Sequence, residues 1–339
     1  MIKQLQAQYL RMSPDVLRYC LKVILILFVL IPLPLCSQQL PLFSVYRNQG
    51  QVLNPAAISD NYLINEMNLS ASATFRRQWL GLKEAPTTQI ASFEYILPNS
   101  SNIITGGHIV NDKTGKLGQS GVYGRFAYTI NIGHRSKQAL TVGLGAGLVQ
   151  YRVQLAEIEF AETEDFNLLS GKTLFPDFSL GAFYYHKDKL YAGISVPQIF
   201  GLKTVFRDTT NQRAFDIQRV AHVYGLVGAY IDVAWFGSST SFIEPSMWLR
   251  YVPNSPISAD VNIRYHIGDF YWLGLGGGFG FGDQFSSGLH FETGFKLGET
   301  INIYNGQWKI GFAYDVSLSQ YQNLFGNTFE VNVSYAWFN

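Results

Sequence analysis

Past residue 37 the chain has no apolar run of about 18 residues, the length a helix needs to cross a bilayer. It is instead filled with segments in which apolar and polar side chains alternate. A period of two marks a β-strand with two different faces. Leu140, Val142, Leu144, Ala146 and Leu148 share one face, and Thr141, Gly143, Gly145 and Gly147 the other. Trp308, Ile310, Phe312, Tyr314, Val316 and Leu318 oppose Lys309, Gly311, Ala313, Asp315 and Ser317 in the same way. The chain closes on Phe329, Val331, Val333, Tyr335 and Trp337 against Glu330, Asn332, Ser334 and Ala336. A final strand ending in Tyr, Trp and Phe suits the aromatic girdle of a lipid-facing wall, and charge on the opposite face suits a wet lumen.

Segments of this kind fall at 66–80, 88–97, 102–111, 120–133, 138–152, 174–186, 188–197, 219–232, 239–252, 257–267, 270–282, 286–298, 307–318 and 328–338. Each is close to the roughly 9 to 11 residues that a tilted strand needs to cross the hydrocarbon layer. An even number returns the chain to its starting side, and closure leaves no unpaired edge in lipid. The expected fold is therefore all-β: a transmembrane antiparallel β-barrel of about 14 strands with a short N-terminal periplasmic or lumenal segment. Composition agrees, with 14% charged residues and 15% aromatic ones. A net charge of +1 with no Lys/Arg cluster supplies no field for nucleic acid, so no nucleic-acid partner is expected.

The N-terminal region predicts export. Arg18 and Lys22 precede an apolar run, Val23 to Leu35, that Pro32 and Pro34 break. Residues 1–37 read as a signal peptide, with either Met1 or Met12 as the start. Residues 38–60 read as a pre-barrel segment, and 61–339 as the outer-membrane barrel. Cys20 and Cys36 both precede the expected cut, so the mature chain would hold no thiol and no disulfide. Lipidation at Cys36 is the competing reading, and the bulk of Leu35 speaks against it. In the pre-barrel segment Leu42, Phe43, Val45, Tyr46 and Leu53 would be wasted on a disordered tail. This segment is expected to pack, either inside the lumen as a plug or against a periplasmic partner.

Short turn signals at Pro98 to Ser101, His134 to Lys137, His186 to Asp188 and Gly268–Asp269 suit the periplasmic end. Longer connections at 112–119, 153–173, 198–218 and 319–327 would face outside. The 153–173 stretch is acidic, a solvated loop first and a calcium or partner site second, since its spacing matches no EF-hand.

Several separate motifs resemble those of the PorP/SprF family, outer-membrane proteins of the type IX secretion and gliding-motility machinery of Bacteroidota. They are Asn54-Pro-Ala-Ala57, Arg77-Gln-Trp-Leu-Gly-Leu-Lys-Glu-Ala-Pro-Thr-Thr88, Asn111-Asp-Lys-Thr-Gly115, Pro176-Asp-Phe-Ser-Leu-Gly181 and Tyr191-Ala-Gly-Ile-Ser-Val-Pro197. The resemblance runs from about Gln38 to Phe338; Ile58-Ser59 stands where the family usually has a Gly. It implies a non-enzymatic barrel of the cell outer membrane, with outer-membrane lipid around it. Its implied partners are periplasmic ring proteins or a peptidoglycan-binding lipoprotein, or a large secreted adhesin. The alternative is a passive outer-membrane channel or solute transporter.

The motif residues Asn54, Pro55, Arg77, Gln78, Trp79, Pro86, Thr88, Asp112, Gly115 and Asp177 are the interaction candidates. Trp79, with Phe75 on the odd face of the first strand, reads as a girdle anchor. Pro86 and Thr88 read as hairpin chemistry, and Asp112 with Gly115 as turn composition. Arg76 and Arg77 are neighbours and point to opposite faces, one to the lumen and one to lipid head groups. Six scattered histidines, with His290 and Glu292 on one strand face, make lumenal networks easy to build without forming a triad. No Cys/His spacing suggests zinc and no Gly-rich turn suggests a nucleotide, so no catalytic, cofactor or metal site is expected.

Overall fold

The computed structural model describes residues 43–98, 102–132, 137–153, 171–187, 189–207, 213–233, 240–281, 286–298, 303, 305–318, 324 and 326–338. The chain divides into two units, Met1–Ser37 and Gln38–Asn339. The first lies outside the described residues, as do the acidic stretch 154–170, the turn 133–136 and most of 319–327.

The alternating segments become strands. In chain order they are β1 (Leu69–Arg77), β2 (Thr87–Ile96), β3 (Ile103–Thr114), β4 (Leu117–Ile132), β5 (Gln138–Val153), β6 (Gly171–His186) and β7 (Leu190–Val196). After β8 (Lys203–Arg207) and β9 (Arg213–Gln218) come β10 (Val223–Ala229), β11 (Ile231–Asp232), β12 (Phe242–Tyr251), β13 (Ile257–Ile267), β14 (Tyr271–Phe281), β15 (Ser286–Leu297), β16 (Gly306–Ser317) and β17 (Thr328–Trp337). All neighbours pair antiparallel, and the wall closes where β1 meets β17 in a ladder from Leu69 opposite Trp337 to Arg77 opposite Phe329. Because β11 continues β10 past Tyr230 and both pair with β12, the result is a closed barrel of 14 staves. No helix among the described residues is long and apolar enough to cross a membrane. The strands make the crossing.

The two faces sort as the alternation predicts. Along β17 buried and part-exposed positions alternate without a break, with Glu330, Asn332 and Ser334 inward. Outward side chains stay open, Leu144 at 56% and Ile263 at 53% exposure. In water each would forgo about 1.5 to 3 kcal/mol of burial, whereas lipid absorbs them without cost. At the end where β17 finishes, Trp308, Tyr335 and Trp337 form an aromatic cluster, with ring centroids 4.8 and 5.2 Å apart.

Three expectations need correction. The connection 112–119 is not a long loop: β3 runs to Thr114, β4 starts at Leu117, and Gly115 at φ +58° makes the tight turn between them. The connection 198–218 contains the separate hairpin β8–β9. The first strand begins at Leu69 rather than 66, because Asp60–Asn65 is a helix that Glu66 ends in a left-handed conformation.

Both ends of the barrel wall, β1 Leu69 and β17 Trp337, lie at the same end as the connections after β2, β4, β6 and β13. The turn after β13 carries Gly268 at φ +55°, which a glycine tolerates without strain. By the general rule for bacterial barrels, this end faces the periplasm.

Candidate functional site

What fills the barrel is its own N-terminal segment. From Phe43 the chain forms a 3₁₀ turn (Tyr46–Gln49), a single helical turn α1 (Gly50–Leu53), an extended Asn54–Ser59 stretch and α2 (Asp60–Asn65) before entering β1. Phe43, Val45, Tyr46, Leu53, Ala56, Ala57, Ile58 and Leu63 are all buried, most of them in one core with wall residues such as Phe183, Tyr191 and Trp248. Of the two placements open to the segment, it takes the lumen.

The plug is held all round the wall. On the β16–β17–β1 side, Ser44 donates its N–H to Glu330 (2.9 Å) and its hydroxyl to Asp315 (2.6 Å), while Asn48 donates to Asn332 (2.9 Å). On β12, the Tyr46 hydroxyl meets Ser246 at 2.8 Å and Arg47 Nε donates to Glu244 at 2.7 Å. Burial pushes the Tyr46 phenol above its ordinary range, so it stays a neutral hydrogen-bonding group. Glu244 is itself fully buried, accepting also from the Tyr191 hydroxyl at 2.9 Å and facing His266. Arg47 also pairs with Asp60 in the same plug and lies over the Tyr191 ring. On β2, Ser59 donates to Glu94, and Gln51 to Ser92 at 2.7 Å. Opposite charges meet inside a low-dielectric space, where an unpaired partner would be costly.

The Asn54-Pro55-Ala56-Ala57 motif has the closest fit. Asn54 folds its own carbonyl back on the Ala56 N–H (2.9 Å), and its amide donates to Ala182 O on β6 and Ile194 O on β7 (3.0 and 3.2 Å). Two glycines flank it: a Cβ on Gly181 would sit 1.9 Å from Asn54 Oδ1, and one on Gly193 would sit 2.9 Å from its Nδ2. On β5 a Cβ at Gly143 would lie 2.6 Å from the Pro55 and Ala56 backbone. Only a bare backbone lets the motif approach so closely. From β4, Arg125 donates to Pro55 O at 3.1 Å and Ala57 O at 2.6 Å and pairs with Glu94. Ser195 on β7 donates to Leu53 O at 2.7 Å.

The remaining candidates do not join this cluster. Arg77 ends β1 on the outer face, whereas Arg76 points inward to Glu330 and Asp315, each at 3.1 Å. Gln78 N donates to Pro86 O at 2.9 Å as the last rung of the β1–β2 hairpin. Trp79 is not a girdle residue on the first strand: it lies past the strand's end at φ +60°, its N–H reaching Thr328 Oγ1 at 3.3 Å. Once Gln78 has closed that rung, the chain swings toward β17, and Leu80 N bonds Asn327 O at 2.9 Å. Asp112 is a strand residue rather than a turn residue, accepting from Thr88 directly opposite on β2. Asp177 on β6 accepts from Tyr123 at 3.0 Å and pairs with buried Arg219, tying the segment after β9 to the wall.

Sequence reasoning did not find Glu94, Arg125, Glu244 or the glycines of β5, β6 and β7. The one usable signal was charge at inward positions of otherwise apolar strands. Further inward groups pair within the wall: Arg264 with Glu292 at 2.8 Å and Arg250 with Asp260. No group of three metal-ligating side chains occurs among the described residues. Two cavities flank the plug. One of about 60 Å³ lies toward the outer end between Phe43, Leu53, His108, Tyr123, Asp177 and Tyr224. The other, about 50 Å³, lies toward the periplasmic end.

A likeness in fold extends to solved outer-membrane barrels. The CymD monoaromatic hydrocarbon channel is 10% identical at a TM-score of 0.51, with 86% of this chain and 93% of that one covered. A Pseudomonas aeruginosa FadL homologue is 8% identical at 0.48, with 85% and 95% covered. The P. putida toluene transporter TodX is 9% identical at 0.47, with 86% and 94% covered. At such identities the likeness speaks to fold alone. No curated protein matches the sequence. The family model for the type IX secretion system membrane protein PorP/SprF matches residues 35–335. The chain belongs to the PorP/SprF family, and it is a barrel of the outer membrane.

Proposed function

We propose that this barrel is a non-enzymatic component of type IX secretion and gliding machinery that uses its periplasmic end as a dock. It anchors periplasmic ring components or a peptidoglycan-binding lipoprotein, or it supports export and surface attachment of a partner adhesin. The observation that carries the reading is the filled lumen: a segment bonded to strands all round the wall leaves a rigid body rather than a pore. A membrane-embedded rigid body with short turns on one side suits anchoring. The alternative, a passive channel or solute transporter, has the outer cavity in its favour and the plug against it.

Copurification from cells tests the proposal. Periplasmic ring proteins or a very large secreted adhesin should come down with the barrel, and deletion of the barrel should strip the adhesin from the surface or halt motility. Unchanged secretion and motility in the deletion strain, with no such partner captured, would sink both versions.

A further inference from the structure

Most polar groups that border the periplasmic-side cavity already have partners. Arg47 and Asp60 hold each other, Asn48 bonds Asn332, Ser59 bonds Glu94, and Gln51 and Ser72 both bond Ser92. Four do not. The Lys309 ammonium on β16, the hydroxyls of Ser334 on β17 and Ser70 on β1, and the amide nitrogen of Asn61 on α2 form no hydrogen bond or ion pair among the described residues. None of these four atoms is walled off by protein, in contrast to Asn61 Oδ1. Strand register sets the wall side of the group. Lys309 stands directly opposite Ser334, which stands opposite Ser72, and Ser70 lies two residues from Ser72 on the same inward face. Asn61 faces them from the plug.

All four leftover groups can donate, and the ammonium and the amide nitrogen can only donate. Charge is unbalanced in the same direction. Arg47, Arg264, Lys296 and Lys309 lie together at this end and share three inward carboxylates, Asp60, Glu244 and Glu292, which the two arginines already hold. Lys296, directly opposite Lys309 on β15, adds a like charge instead of a counter-charge, and Asp269 is exposed on the turn after β13. Water would satisfy the hydrogen bonds of the ammonium and leave its charge uncompensated inside a low-dielectric lumen. A small anion does both. Room for about 50 Å³ admits a halide, alone or with one water, and excludes a hydrated oxyanion.

We infer that this cavity is a chloride site, in which the ion is the counter-charge of Lys309 and accepts from Ser334, Ser70 and the Asn61 amide. Asn61 belongs to the plug and the other three to the wall. The bound ion therefore bridges plug and wall, and stabilises the filled barrel through a contact that the protein alone does not make. The site stands apart from the docking reading and does not rest on it.

Chloride NMR line broadening on the full-length protein in detergent micelles tests the site. The protein should broaden the line, bromide should reverse the broadening, and sulfate at equal ionic strength should not. Lys309→Gln should abolish the effect, and Ser334→Ala should weaken binding about tenfold, as loss of one charge-assisted hydrogen bond does. Arg152→Gln, at an exposed position of β5, should leave it unchanged. Heat-modifiable gel mobility confirms that each variant remains a folded barrel. The same gel gives a second readout. Chloride at ten times its dissociation constant should favour the folded barrel about elevenfold by mass action, so the wild type should keep its folded mobility to a higher temperature in sodium chloride than in sodium gluconate. That difference should vanish in Lys309→Gln. No broadening above buffer, broadening that survives in folded Lys309→Gln or is unaltered in Ser334→Ala, or equal heat resistance in the two salts would each overturn the inference.

Discussion

Replacing Arg125 with Met should release the plug without dissolving the barrel. Among the described residues, Arg125 is the one wall side chain that grips the Asn-Pro-Ala motif by its carbonyls, at 3.1 Å to Pro55 and 2.6 Å to Ala57. Hydrogen bonds from a charged donor contribute about 1.5 to 3 kcal/mol each, so their loss removes at least about 3 kcal/mol of docking energy. The same change strips Glu94 of its guanidinium and leaves the buried carboxylate to Ser59 alone. That penalty falls on the same contact and adds to the first. With 1.4 kcal/mol per tenfold, the undocked population should rise at least about 100-fold. Thiol labelling can read this, because Cys20 and Cys36 are the chain's only cysteines. With both changed to Ser, Val45→Cys places a near-isosteric thiol at a plug position that is 2% exposed. Its maleimide labelling should be slow in the parent and at least about 100-fold faster with Arg125→Met, whereas Arg152→Met, at an exposed position of β5, should leave it unchanged. Labelling of the Arg125 variant within threefold of the parent, or a parent that labels as fast as urea-unfolded chain, would refute the reasoning.

Three further outcomes follow from the geometry. Gly143→Val should speed Val45→Cys labelling as strongly as Arg125→Met, since its Cβ would fall 2.6 Å from the Pro55 backbone; Gly124→Val, where a Cβ meets nothing within 4 Å, should be silent. Asp177→Asn leaves Arg219 buried without a carboxylate, so trypsin should cut within 198–222 about ten- to 100-fold faster while the wall stays intact. Glu244→Gln removes a fully buried charge that holds Arg47, Tyr191 and His266, and should cost about 3 kcal/mol or more, seen as earlier loss of heat-modifiable mobility.

The staves were legible because lipid on one side and water on the other impose a period of two, and a period is a property of neighbouring residues in sequence. Where that constraint lapses, reading fails. Asp112, Lys113 and Thr114 continue β3 with no apolar face, and the hairpin formed by Lys203–Arg207 and Arg213–Gln218 carries little alternation, so both looked like loop. The plug segment announced itself through Phe43, Tyr46 and Leu53, apolar side chains with no strand pattern, and its need to pack could be argued. Its partners could not. That Asn54 meets Gly181 and Gly193, or that Arg47 meets Glu244 nearly 200 positions away, depends on barrel register and curvature, which no local pattern encodes. Trp79 failed for a smaller reason: one hydrogen bond from Gln78 to Pro86 ends the ladder one residue before it.

The claim on which the rest depends is that residues 43–67 close the lumen. Planar-bilayer recording tests it most directly, comparing the intact protein with the Arg125→Met and Gly143→Val variants and with a chain lacking 43–67. The intact barrel should be electrically silent, the variants should flicker, and the plugless chain should conduct stably. A stable open channel from the intact protein would contradict the account and move the barrel to the transport reading.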